Sequence, residues 1–171
     1  MKITPNNNEK TFSDNDLLVT KTDLKGNITY ANRAFMQIVD MEEDTLIGAP
    51  HNIIRHPDMP KVIFKFLWEY LKNGKEIHAY VKNLCSDGSY YWVMANVTPS
   101  YDRKQTSKNI EVVGYHSARR SPSKEAIEII KPLYEELLRA EKSGGISASE
   151  KIMSDLLKEK GVDYDEFILS F

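Results

Sequence analysis

Cysteine is almost missing from this 171-residue chain: Cys85 stands alone, which excludes an internal disulfide and suits a reducing compartment. No apolar run approaches the roughly 18 residues a membrane span needs, and the opening MKITPNNNEKTFSDND is too polar for a signal peptide. Charge of one sign is lacking too. A net charge of −2 argues against general affinity for nucleic acid or anionic membrane. Glycine-rich phosphate loops, nucleophile-elbow serines and Cys/His metal sets are all absent, so nothing in the sequence reads as catalytic. What remains is 41% hydrophobic and 28% charged residues, the composition of a globular chain long enough for one core with helical additions.

Residues 1–15 read as a polar arm, 16–120 as the main domain and 121–171 as a helical extension. Asp16 to Asp23 and Asn27 to Ala31 read as strands joined by a Lys25-Gly26-Asn27 turn. Asn32 stands where a helix cap is wanted, ahead of RAFMQIVDM, and EEDTLIG gives a short helical turn ending at Gly48. KVIFKFLWEYLKNG reads as a helix started by Pro60 and stopped at Asn73-Gly74. Its apolar residues cover most of its circumference, which predicts cover on two sides. Three strands follow, IHAYVKNL, YYWVMANVTP and IEVVGYHSA, with YDRKQTSKN as a charged hairpin loop between the last two. The order predicts an α+β fold: a five-stranded antiparallel sheet with short helices on one face, plus C-terminal helices. Pro132 is expected to kink or interrupt the first of those helices, and SGGIS to break it.

Alternation in IHAYVKNL puts Asn83 on one face with Ile77, Ala79 and Val81, the only polar group there. A buried carboxamide needs partners. It either bonds a neighbouring loop or meets the edge of a flavin or pterin ring, which alternates C=O and N–H groups. A two-residue Asp87-Gly88 turn pairs Asn83 with Trp92, whereas a three-residue loop pairs it with Val93. The second is favoured, because Tyr91, Val93 and Ala95 then share the inner face and leave room for a ligand. In HNIIRHPDMP, Pro57 and Pro60 stiffen the presentation of His51, Arg55, His56 and Asp58. Arg55 is able to clamp a diphosphate, although a surface ion pair with Asp58, or a helix cap by Asp58, accounts for the same residues.

TDLKGNITYAN, GAPHNIIRHPDMP, the VKN before Leu84, DGSYYWVMAN and KPLYEEL together resemble the PAS domain, and more narrowly the flavin-binding PAS domain of Aer-type energy-taxis receptors. The resemblance spans roughly Thr20 to Leu138. It implies non-covalent FAD, with Arg55, His56 and Asp58 matching the family's cofactor-binding motif. By the same resemblance His51, Trp68, Asn83 and Tyr91 line or support the pocket, and Asn32 serves structure or signal coupling. Ile77 stands where relatives can carry a tryptophan, Val93 replaces the second flavin-binding asparagine of light-sensing cousins, and Cys85 lies away from their adduct position. Haem is not expected, since KVIFKFLWEYLKNG holds no histidine.

Aer-type receptors continue into membrane helices, a HAMP domain and a coiled coil, whereas this chain ends at Phe171. The expectation is therefore a stand-alone, CetB-like cytoplasmic redox sensor. It would signal to a separate HAMP-containing, membrane-bound methyl-accepting-type transducer for energy taxis, possible as a homodimer and held near the inner membrane only through its partner. Two rivals are a cofactor-free PAS interaction module, in which aromatic side chains fill the cleft, and a flavoenzyme. His78, Tyr80 and Trp92 are expected on the outer sheet face as candidates for the partner surface, unless the helix after Ser123 docks there.

Overall fold

Asp23 shapes the first hairpin: its Oδ1 accepts from the backbone of both Lys25 and Asn27 at 2.8 Å, and Gly26 takes the positive φ of 83° that the turn requires. The computed structural model describes residues 3–102 and 111–171, so most of the expected charged loop lies outside the described residues. The hairpin joins β1 (Leu18–Thr22) to β2 (Ile28–Ala31). Next come α1 (Arg33–Val39), α2 (Glu43–Leu46), a 3-10 turn (His51–Ile54) and α3 (Lys61–Lys72). Then follow β3 (Ile77–Leu84), β4 (Tyr90–Tyr101), β5 (Val112–Arg120), α4 (Lys124–Lys160) and α5 (Tyr164–Leu169). The five strands form one antiparallel sheet in the order β2-β1-β5-β4-β3, with α1 to α3 on its inner side. The α+β expectation is met.

Asn32 does more than cap α1. Its Oδ1 accepts from Phe35 N and Val19 N, both at 3.0 Å, and its Nδ2 donates to Leu17 O at 2.7 Å. One carboxamide thus stitches the helix start to the approach of β1. The polar arm is also tied down: Lys10 N donates to Tyr90 O and Tyr90 N to Asn8 O, a single parallel bridge beside β4.

The β3–β4 register differs from both expected pairings. Asn83 faces Tyr91 and Val81 faces Val93. Cys85 N donates to Ser89 O and Gly88 N to Cys85 O, with Gly88 at a φ of 84°, so the loop is the three residues Ser86-Asp87-Gly88, one residue earlier than the Val93 pairing implies. A shift of two residues preserves parity, so Tyr91, Val93 and Ala95 do share the inner face with Asn83.

The outer face corrects a second expectation. Tyr80 and Trp92 are only 3% and 7% exposed, because α4 lies over them. Tyr134 Oη donates to Tyr80 O at 2.7 Å, and the Tyr134 ring packs on Trp92 with centroids 6.1 Å apart. His78 N donates to Asp165 Oδ1 of α5 at 2.9 Å. The helix therefore docks back on its own sheet. Pro132 does not interrupt α4, since buried Ile130, Tyr134 and Leu137 hold both sides of it against the core while Pro132 itself faces solvent. The break falls at Gly145, whose φ of 70° leaves the helical region.

Candidate functional site

The inner sheet face and α3 do not close completely on each other. Between them lies a cavity of about 260 Å³, just below the roughly 300–1,000 Å³ usual for small-molecule sites. Alternation delivers its walls. β3 presents Val81 and Asn83, β4 presents Ala95 and Val97, and β5 presents Tyr115, Ser117 and Arg119. The helix repeat brings Phe64, Leu67, Trp68 and Leu71 of α3 to the opposite wall. The 3-10 turn and its exit supply His51, Asn52 and Arg55. Trp68 stands edge-on to Tyr115, centroids 5.5 Å apart, and closely covers Gly26.

Polar groups in this apolar hollow are incompletely bonded. Asn83 Nδ2, Ser117 Oγ and Arg119 Nη1 are buried without a hydrogen-bond partner among the described residues. Each unpaired group costs about 1–3 kcal/mol, and three at one cavity call for a ligand or ordered water. Arg119 Nη2 is better served: it donates to His51 Nε2 at 2.7 Å and to Thr20 Oγ1 at 2.9 Å. Burial drives the Arg119 guanidinium down to about 10, still a cation at neutral pH. Burial, reinforced by the Arg119 charge, drives His51 down to about 3, so its imidazole is neutral with Nε2 accepting. Lys25, Arg55 and Arg119 give the lining three cations against no carboxylate.

Arg55 is held from two sides. Its Nη2 donates to Met59 O at 3.4 Å, its guanidinium lies 4.0 Å from the centre of the Phe64 ring, and a backbone bridge joins it to Asn83. It does not pair with Asp58.

The eight residues singled out in the sequence divide. His51, Arg55, Trp68 and Asn83 meet at the cavity; Asn32, His56, Asp58 and Tyr91 do not line it. Asn32 joins α1 to β1, as described above. His56 is buried against Tyr90, its Nδ1 accepting from Asp58 N at 3.1 Å, and burial followed by the Lys82 charge lowers it to about 4. Asp58 pairs with Lys82 Nζ at 2.8 Å. Partial burial opposes its ionisation, but that hydrogen bond and the Lys82 charge hold its carboxyl below the usual value. Tyr91 is fully buried on the inner face outside the cavity lining, its hydroxyl unpartnered among the described residues and its pKa raised by burial against the opposing charge of Arg119. Thr20, Ser117 and Arg119 were not singled out from the sequence. The signal was available: continuing the alternation of VVGYHSARR from Tyr115 puts Ser117 and Arg119 on the inner face.

The residues present fit a flavin. An amide, a hydroxyl and a guanidinium N–H suit the alternating acceptors and donors of its ring edge, and the apolar walls suit its faces. Among the described residues no cluster of His, Cys, Asp and Glu is placed to hold a metal ion, and no helix is long and apolar enough to cross a membrane.

Residues 28–116 match the PAS fold family. The chain is 39% identical over 126 residues to the aerotaxis receptor of Escherichia coli (strain K12), covering 74% of this chain and 24% of the receptor. It is 26% identical over 105 residues to the biofilm dispersion protein BdlA of Pseudomonas aeruginosa, covering 61% and 25%. The chain thus spans about a quarter of the length of these relatives. A light-oxygen-voltage domain studied with a flavin analogue superposes with a TM-score of 0.58 at 16% identity, over 70% of this chain and 87% of that one. That likeness concerns the fold.

Proposed function

The chain belongs to the PAS fold family and is of the aerotaxis-receptor type, and on that premise we propose that it is a redox sensor that binds FAD between its sheet and α3. It reports the cofactor's state to a membrane-bound methyl-accepting-type transducer, in the split arrangement a separate HAMP-containing chain, from the cytoplasmic side of the inner membrane. The observation that carries this reading is the convergence of Asn83 Nδ2, Ser117 Oγ and Arg119 Nη1, all buried and unpaired, on one cavity. The name of the flavin-analogue structure puts a flavin in a domain of the same fold, and the amide, hydroxyl and guanidinium donors here suit such a ring edge. The three lining cations support a ligand with phosphates, and Arg55 is the candidate clamp for a diphosphate, which favours FAD over FMN.

Flavin, when bound, supplies a reversible redox centre whose reduction changes protonation and charge at the ring. The chain's own groups give such a change something to act on. Asn83 on β3 and Ser117 and Arg119 on β5 would hold the ring edge, and neutral His51 steadies Arg119. A ligand moves the protein only by its different interaction with two conformations. The candidates for that difference are these three side chains, whose unused hydrogen-bonding capacity can be met in one redox state and not in the other. Output passes through the strands that carry them to α4 and α5. The reading is of a sensor, as the family to which the chain belongs supports. His56, Asp58 and Tyr91 act in this reading through the shape of the cavity wall, and Asn32 through the β1–α1 junction.

The test is to purify the protein after expression with adequate flavin, record its absorbance, and identify the heat-released chromophore by chromatography. FAD in near-equal amount to protein is expected. A colourless protein that also fails to take up added FAD contradicts the reading and favours the cofactor-free interaction module. FMN alone contradicts the role given to Arg55.

A further inference from the structure

Glu141 belongs to α4, beyond the stretch that matches the PAS fold family, yet its carboxylate closes the N-terminus of α3. Oε2 accepts from Lys61 N at 3.0 Å and Oε1 from Val62 N at 2.9 Å. The first N–H groups of a helix have no partner within it, and Pro60 at the cap position has no side-chain acceptor to offer. Here the acceptor arrives from about 80 residues further along the chain. Ser149, on the far side of the Gly145 break, donates its hydroxyl to the same Oε1 at 3.1 Å. The Glu141 charge also acts on Arg55, which is tied through Met59 O to the residues leading into α3. One carboxylate therefore touches the start of the helix that forms the cavity wall and both halves of α4, and its charge reaches the cationic side chain at that cavity.

We propose that Glu141 is a positioning residue for the cavity, fixing α3 and Arg55 against the C-terminal helices so that ligand occupancy and the docking of α4 and α5 are coupled. The proposal rests on the FAD reading above. An anionic group at Arg55 acts on the same guanidinium that feels the Glu141 charge and that is tied through Met59 O to the start of α3, so binding at the cavity alters the load on Glu141 and through it on α4. Coupling of this kind is reciprocal: whatever loosens α4 weakens the ligand by the same factor. The Lys65–Glu150 ion pair also joins α3 to α4, but neither residue reaches the cavity, and it serves as the control.

Glu141→Gln keeps the size of the side chain while removing its charge and one of its two acceptors. In the full chain without ligand, hydrogen exchange is expected to be at least about fivefold faster in the first turns of α3, and FAD titration to show affinity at least about fivefold weaker, the low end of ordinary site-to-site coupling. Added FAD should protect residues 146–160 from exchange in the natural chain and no longer do so in the variant. Glu150→Gln should leave FAD affinity within about twofold. Natural affinity in Glu141→Gln, or an equal loss in Glu150→Gln, overturns the proposal. Failure of the unaltered chain to bind FAD defeats the cavity reading instead; unchanged α3 exchange in ligand-free Glu141→Gln then overturns the positioning role on its own.

Discussion

Arg119 Nη2 donates to His51 Nε2 across 2.7 Å at the floor of the cavity, an arrangement that requires a neutral imidazole. A protonated His51 would set two cations against each other in a site without a carboxylate. Burial and that charge hold His51 at about 3, against an ordinary 6.5, and His56 is lowered to about 4 in the same direction.

The folded chain therefore binds fewer protons than the unfolded chain between these values. The stability contribution is complete above about 6.5 and is lost as pH falls towards the folded values. Chemical denaturation should give a plateau near neutrality and a steady decline from about pH 6.5 to 4. In His51→Gln, part of that slope should disappear. A flat profile across this range contradicts a buried neutral His51.

Asn83→Ala and Arg55→Ala separate two parts of the ligand. Asn83→Ala should weaken FAD and FMN alike, by about tenfold or more, the loss expected of a buried hydrogen bond worth about 1.4 kcal/mol. Arg55→Ala should weaken FAD about tenfold while changing FMN less, as a diphosphate clamp would. Titration with both flavins checks this, and parallel losses in Arg55→Ala contradict the clamp.

Tyr134→Phe removes one hydroxyl between α4 and β3. It leaves the buried carbonyl of Tyr80 without that donor, so unfolding free energy should fall by about 1–3 kcal/mol. Denaturant titration measures it directly. An unchanged midpoint would mean that α4 is not docked on the sheet in solution.

Much of this architecture was legible because alternation and helix punctuation act locally. IHAYVKNL became β3 with the bounds read from its sequence, and Asn32, Pro60 and Asn73-Gly74 mark helix ends as expected. The inner face of β4 was legible by parity although its register was not. The register depends on where the three-residue loop falls: the favoured length was right, but the Val93 pairing placed it one residue beyond Ser86-Asp87-Gly88. Arg119 escaped because the last strand was read as ending at Ala118, one residue short of the group that bonds His51. For Tyr80 and Trp92 alternation gave the outer face but could not choose between a partner surface and cover by the helix after Ser123, and the structure shows the second. RHPDMP reads as one motif, but its backbone sends Arg55 to the cavity and His56 and Asp58 towards Tyr90 and Lys82.

The most direct measurement is a crystal structure of the full chain grown with excess FAD. The account predicts the isoalloxazine ring between the sheet and α3, its polar edge within hydrogen-bond reach of Asn83 Nδ2, Ser117 Oγ and Arg119 Nη1. A hollow closed by Phe64 and Trp68, with those three groups satisfied by the protein itself and no flavin inside, would contradict it.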